Sequence, residues 1–121
     1  MRKILIVDDL ATEVQMMRST VTKLGYHVIE ANDGEAGLNM AKSEKPDLIL
    51  LDVVLPKADG FSVCRRLKRD PETAGIPIVL ISTKSQDSDR FWGMKQGADA
   101  YLFKPAKPEE LAELVTRLLA A

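Results

Sequence analysis

Four places in the chain hold side chains able to do chemistry. Asp8 and Asp9 directly follow the apolar run ILIV, and Asp52 interrupts the apolar stretch LILLDVVLP. Ser82–Thr83 closes IPIVLIS, and Lys104 stands immediately before Pro105. Carboxylates that converge raise one another's pKa unless a cation neutralises them. An all-oxygen set of two or three carboxylates plus water suits Mg²⁺, which keeps several of its waters. Zinc or copper would want His or Cys; His27 opens an edge strand and Cys64 lies on the core stripe of a helix, so neither is placed to serve. A hydroxyl from Ser82 or Thr83 and the Lys104 ammonium complete a set suited to holding a phosphoryl group: an acceptor carboxylate, a divalent ion, a donor and a positive charge.

Each residue taken alone has a plainer reading. Asp8 or Asp9 could cap the helix that follows, Ser–Thr is a common cap, and a lysine before proline is usually a solvated charge. Asp52 resists such a reading. It is apolar on both sides, and no helix begins next to it for it to cap. A buried, unpaired carboxylate costs several kcal/mol, so chains rarely keep one without a partner.

The elements that must position these residues alternate regularly. Five apolar runs recur: KILIV from Lys3, HVIEA from His27, DLILLD from Asp47, IPIVLIS from Ile76 and AYLFK from Ala100. Helical spacing fills the gaps. Val14, Met17, Val21 and Leu24 share one face, and Gly25 supplies the left-handed residue that commonly ends a helix. Phe61, Cys64 and Leu67 repeat the pattern behind an Asp59 N-cap. Pro108 suits a first helical turn before Leu111, Leu114, Val115 and Leu118. The class is therefore α/β with a parallel sheet. ILIV, LILL and IVLI are continuously apolar, as befits strands covered on both faces, whereas HVIEA and AYLFK mix in polar residues, as befits edges. With strands two and five outside, right-handed crossovers make 2-1-3-4-5 the natural order, a flavodoxin-like arrangement. Ligands then bind beyond the carboxyl ends of strands one and three, where Asp8, Asp9 and Asp52 lie.

Composition narrows the classes further. At 121 residues, 1–121 reads as a single domain. Lys and Arg number 17 against 18 Asp and Glu, which gives no basic excess for a nucleic-acid or membrane surface. A single cysteine excludes an internal disulfide and fits a reducing compartment. No apolar run approaches the ~18–20 residues that cross a bilayer. A strand-like ILIV so near Met1 leaves no signal-peptide pattern, so the expectation is a cytoplasmic chain whose mature form starts at Met1.

ILIVDD, DLILLDVVLPKADG, IPIVLIS and GADAYLFKP, in this order and spacing, resemble the receiver domains of two-component response regulators, the CheY-like family. The resemblance implies that Asp52 accepts phosphate from a phosphohistidine on a sensor histidine kinase, CheA-like kinases among the candidates. It implies direct Mg²⁺ binding by Asp9, a water-mediated role for Asp8, and a third protein ligand in the Val54 backbone carbonyl. Ser82 matches the switch hydroxyl, with Thr83 its weaker neighbour, and Lys104 matches the family lysine, whose bond to proline is cis in such domains. Tyr101 matches the aromatic position that rotates as the hydroxyl moves. Drawn toward a phosphoryl group, Ser82 would vacate space that the Tyr101 ring can fill, and the face of helix four, strand five and helix five would change for a downstream protein target.

Arg90, Trp92 and Met94 are assigned to that partner face. Phe91, Trp92 and Met94 lie too close in sequence for all to point inward. Trp92 is open to two readings, packing at the margin of the core or anchoring a partner. The string TKSQDSDRFWGMKQGADAYLFKP is also similar to receivers of type IV pilus and twitching-motility pathways, which suggests chemotaxis-like control of motility. Leu10, where a polar residue is frequent, and Val54 and Lys84, at sites that modulate dephosphorylation in the family, depart from the most familiar pattern.

Three rival readings have distinct signatures. A small Mg²⁺-dependent aspartyl-phosphate phosphatase would show Asp-x-Asp after strand one and a cap domain; here the acids are adjacent, and a regulator rather than an enzyme is expected. A flavin module would carry a Ser/Thr/Gly-rich phosphate loop there, where Asp8 and Asp9 would repel the cofactor. A receiver acting by binding without phosphorylation would not need the complete residue set.

Overall fold

The computed structural model describes residues 2–120. Its elements are β1 (Lys3–Val7), α1 (Ala11–Lys23), β2 (His27–Ala31), α2 (Gly34–Glu44), β3 (Leu48–Asp52), α3 (Gly60–Arg69), β4 (Ile78–Ser82), α4 (Asp87–Lys95), β5 (Ala100–Phe103) and α5 (Pro108–Leu119). The strands form one parallel sheet in the order β2-β1-β3-β4-β5. This is the order expected from the two polar-containing runs, which do lie at the edges.

Residue alternation along the inner strands explains why both sheet faces need cover. Ile4, Ile6, Leu48, Leu50, Val79 and Ile81 pack with Met17 and Val21 of α1 and with Leu111, Leu114 and Val115 of α5. Leu5, Val7, Ile49, Leu51, Ile78 and Leu80 face the other way, against Leu38 and Ala41 of α2 and Val63, Cys64 and Leu67 of α3. Asp59 caps α3 by accepting the Ser62 N–H at 3.0 Å. Gly25 ends the first helical segment with φ at +94°, a conformation that favours glycine. Leu24 departs from the expected stripe. It is the C-cap of α1 and 39% exposed, because the chain is already leaving the helix toward Gly25.

α4 is the exception among the helices. Gly93 is its buried residue, while Phe91, Trp92 and Met94 are exposed. None of the three large side chains points inward, a stronger outcome than the sequence spacing required. Trp92 is 50% exposed, so half of it stays open to solvent at the edge of the core.

Candidate functional site

The site begins with strand ends. The Asp8 N–H donates to the Ala31 carbonyl at 3.1 Å, which carries the β1–β2 ladder one residue beyond β1. Asp8 is consequently buried, whereas Asp9 is exposed. Neither caps α1, whose N-cap is Leu10 without a side-chain bond. Asp8 instead accepts the Leu10 N–H on one carboxylate oxygen at 2.9 Å. Asp52 closes β3 and is 6% exposed, and α3 begins only at Gly60. One oxygen each from Asp8, Asp9 and Asp52 lie within 4.8 Å of one another.

Lys104 enters this cluster from the end of β5. Its backbone N–H donates to the Ser82 carbonyl at 2.8 Å, and its bond to Pro105 is cis. The ammonium lies 3.0 Å from Asp8 Oδ2 and 3.4 Å from Asp52 Oδ2, with only 4% of its side chain exposed. It is a buried bridge between two carboxylates, more enclosed than a lysine at a pocket rim. Burial pushes the Asp52 carboxyl above its ordinary range; Lys104 opposes this, and the Asp8 charge adds to it. Burial alone would lower the Lys104 pKa, yet the hydrogen bond to Asp8 and the two carboxylate charges raise it. Lys104 thus stays charged, and the cluster keeps two uncompensated negative charges when the three acids are ionised. An oxygen-only donor set with that deficit fits a hard divalent cation of the Mg²⁺ kind. His27 is exposed on the β2 edge. Cys64 is buried within the core, where desolvation pushes its thiol up to about 11.

The neighbouring corner is built from neutral groups. Ser82 is fully buried, and its Oγ accepts the Lys84 N–H at 3.1 Å. Thr83 is exposed, so the buried hydroxyl of the pair is Ser82. The Tyr101 ring is buried, stacks edge-on against Phe103 at 5.6 Å, and donates its hydroxyl to the Lys84 carbonyl at 2.8 Å. The ring already lies inside in this structure, with Ser82 still bonded to Lys84. The two groups are linked through the backbone of Lys84.

Two contributors escaped the sequence reading. Lys84 acts here through its N–H and C=O, which no side-chain pattern reveals. Gly93 lies against the Tyr101 ring: a Cβ there would stand 2.9 Å from Tyr101 Cδ2 and 2.9 Å from Leu80 Cδ1. A glycine inside a helix costs ~1 kcal/mol relative to alanine, and that was the available signal that something packs close to it.

The partner-face assignments separate. Arg90 and Met94, one helical turn apart, are both exposed on α4. Trp92 is turned away from them. It lines a groove with Val54, Phe61 and Arg65, on the α3 side of α4, because successive helical residues are rotated by about 100°. Its assignment to the face of α4, β5 and α5 is corrected accordingly. Val54 itself has an exposed side chain, while its backbone N–H lowers the Asp52 pKa.

Comparison with known proteins follows the same line. The family model for the response regulator receiver domain matches residues 4–116. Protein PilH of Pseudomonas aeruginosa is 42% identical over 120 residues, covering 99% of each chain. The alkaline phosphatase synthesis transcriptional regulatory protein PhoP of Bacillus subtilis is 42% identical over 118 residues, and the match spans 98% of this chain but 48% of that longer protein. Among solved structures, the chemotaxis response regulator CheY4 of Vibrio cholerae superposes with a TM-score of 0.91 at 32% identity, covering 98% of this chain and 99% of that one. The BeF3-activated DrrB receiver domain does so with a TM-score of 0.88 at 33% identity, covering 100% and 99%. No helix among the described residues is long and apolar enough to cross a membrane.

Proposed function

Because the chain belongs to the response regulator receiver domain family of two-component systems, we propose that it is a phosphoryl-accepting switch whose acceptor is Asp52. The observation that carries this reading is the Lys104 ammonium, held 3.0 Å from Asp8 and 3.4 Å from Asp52 inside the three-carboxylate cluster. In the step envisaged, an Asp52 oxygen attacks the phosphorus of a kinase phosphohistidine. A P–O bond forms as the P–N bond breaks, and the imidazole leaves with its electron pair.

Asp9, Asp8, Asp52 and the Val54 carbonyl would hold Mg²⁺. The ion would supply charge neutralisation for the transferring phosphoryl oxygens. Lys104 is positioned to exchange its Asp52 contact for a phosphoryl oxygen, and Ser82 to donate its hydroxyl to another. A Ser82 hydroxyl drawn that way gives up the Lys84 N–H, and Lys84 also holds the Tyr101 hydroxyl. Movement at the acceptor thereby reaches α4, the helix least anchored in the core. The output face in this reading contains Tyr101, Arg90 and Met94 and offers a downstream protein a surface with two states. The likeness to PilH, together with the CheY-type neighbours, supports a place in chemotaxis-like control of twitching motility, as a regulator rather than an enzyme in its own right.

Incubation with acetyl phosphate and Mg²⁺ tests the proposal. One added phosphoryl mass is expected on the native chain and none on Asp52→Asn. An adduct that persists in the variant, or that forms equally well in EDTA, overturns it.

A further inference from the structure

We propose that the groove between α3 and α4 is a docking site for an acidic, apolar-anchored segment of a partner protein, separate from the face of α4, β5 and α5. The groove encloses about 440 Å³. Its apolar surface comes from Val54, Phe61 and Trp92, and Val54 and Trp92 are 57% and 50% exposed. Large side chains left open together in a concavity mark a binding surface more often than scattered single ones do.

Charge specifies the occupant. Arg65 and Lys84 stand in the groove wall, and neither forms an ion pair among the described residues. Arg65 reaches only the Gln96 side-chain oxygen, at 3.4 Å. Arg69, one turn beyond Arg65 on the same flank of α3, is exposed and also unpaired among the described residues. Asp59 is the acid in the groove, and its carboxylate is engaged in capping α3. The two unpaired cations of the groove therefore outnumber its one carboxylate, on a chain whose net charge is −1.

A nucleic-acid strand also favours cations beside aromatics, but two cations in a short groove, a third beyond it and no overall basic excess give it little counterion release. An amphipathic segment satisfies both features at once, placing an aliphatic or aromatic residue on Trp92 and carboxylates on Arg65, Lys84 and Arg69.

Trp92 is the chain's only tryptophan, so its fluorescence reports on the groove directly. The probes are a capped 12-residue peptide of Glu, Asp, Leu and Phe, the same peptide with every Glu and Asp replaced by Gln and Asn, and a 12-nucleotide oligo-dT. The acidic peptide is expected to shift Trp92 emission to the blue in a saturable manner. It should bind at least about fivefold more tightly than its neutral counterpart, and weaken as salt rises from about 0.05 to 0.5 M. The double variant Arg65→Glu/Lys84→Glu should abolish the response while keeping the native melting temperature. No saturable shift, equal binding of the neutral peptide, or an unchanged response in the double variant overturns the proposal. Tighter binding of oligo-dT, or a shift that grows with protein concentration alone, overturns it in favour of nucleic acid or a second copy of this chain.

Discussion

Two adjoining corners of this molecule are held by different forces. At the ends of β1 and β3, full charges face one another: Asp8, Asp9 and Asp52 around the buried Lys104 ammonium. Around Ser82 of β4 and Tyr101 of β5, neutral groups do the holding. Ser82 and Tyr101 each make one hydrogen bond to the backbone of Lys84, and the ring sits on Gly93. The helices around them differ in the same sense. α1, α2, α3 and α5 bury side chains such as Met17, Leu38, Leu67 and Leu111, whereas α4 buries Gly93 alone. Local opening becomes easier as buried apolar contacts become fewer. Interactions that are strong and directional thus sit where charge has to be held, and interactions that exchange readily sit where shape has to change.

The largest effect should come from removing the charge that links the acids. Lys104→Met leaves Asp8 and Asp52 facing each other in a buried site, and breaking such a pair costs ~3–5 kcal/mol. Urea unfolding at neutral pH without divalent ions should show a loss of that order, and acidification should shrink it as the carboxylates protonate. A loss no larger than the ~0–1 kcal/mol typical of surface ion pairs would mean that the cluster is solvated, and the contrast between the corners would disappear.

Gly93→Ala probes the neutral corner, and its sign alone is informative. In an open helix, alanine stabilises by ~1 kcal/mol relative to glycine. Here the new methyl meets the Tyr101 ring and Leu80 at 2.9 Å, so overpacking should destabilise by ~1–3 kcal/mol instead. Tyr101→Leu should relieve part of the penalty, visible as a coupling of ~0.5–3 kcal/mol in a double-mutant cycle. Additive effects would show that the ring does not rest on α4.

These two tests fall on opposite sides of what the sequence displays. Strand order was legible because burial is written into composition: LILL and IVLI admit no polar residue, whereas HVIEA and AYLFK do. The acidic cluster was legible for a related reason. A charge such as Asp52 inside an apolar run is anomalous, and topology brings it to Asp8 and Asp9. The depth of Lys104 was not, since a lysine before proline reads equally well as a solvated loop charge. The side of α4 taken by Trp92 depends on the rotation of a weakly amphipathic helix, which three adjacent large residues leave ambiguous. The link through Lys84 is made by peptide groups common to every residue, so no pattern of side chains could announce it.

Asp52→Asn tests the charged corner more gently. Asp52 is raised above its ordinary value of 3.8, so the native state holds its proton more tightly than the unfolded chain does. Its contribution is therefore most favourable at acid pH, and stability falls as pH rises from 3.8 through the higher native pKa. Asparagine removes that fall and should stabilise the metal-free protein at neutral pH, because one of the facing carboxylate charges is gone while Asp8 still pairs with Lys104. The same substitution should reduce the rise in melting temperature caused by millimolar Mg²⁺. Lys104 has the opposite consequence. Raised above 10.5, it contributes stability that is complete below 10.5 and is lost as pH rises through its native pKa. Melting curves across both ranges check the two signs, and a native chain as flat as the variant at acid pH would contradict the first.

Tyr101→Phe should have the smallest effect on global stability, and the reason is again the difference between the corners. The lost bond, from the hydroxyl to the Lys84 carbonyl at 2.8 Å, is neutral, and Lys84 is exposed, so water can replace the missing donor. The expected change is ~0.5 kcal/mol, the lower end for an intramolecular hydrogen bond. Yet the ring, the edge-on contact with Phe103 and the seat on Gly93 all remain, so what the variant removes is the tie between the ring and the loop that also carries Ser82. Amide exchange should accordingly quicken in the loop before α4 and in α4 itself, while β1 and β3 keep native protection. Uniform acceleration across the sheet would mean that the hydroxyl supports the whole fold, leaving no separation between the part that holds charge and the part that moves.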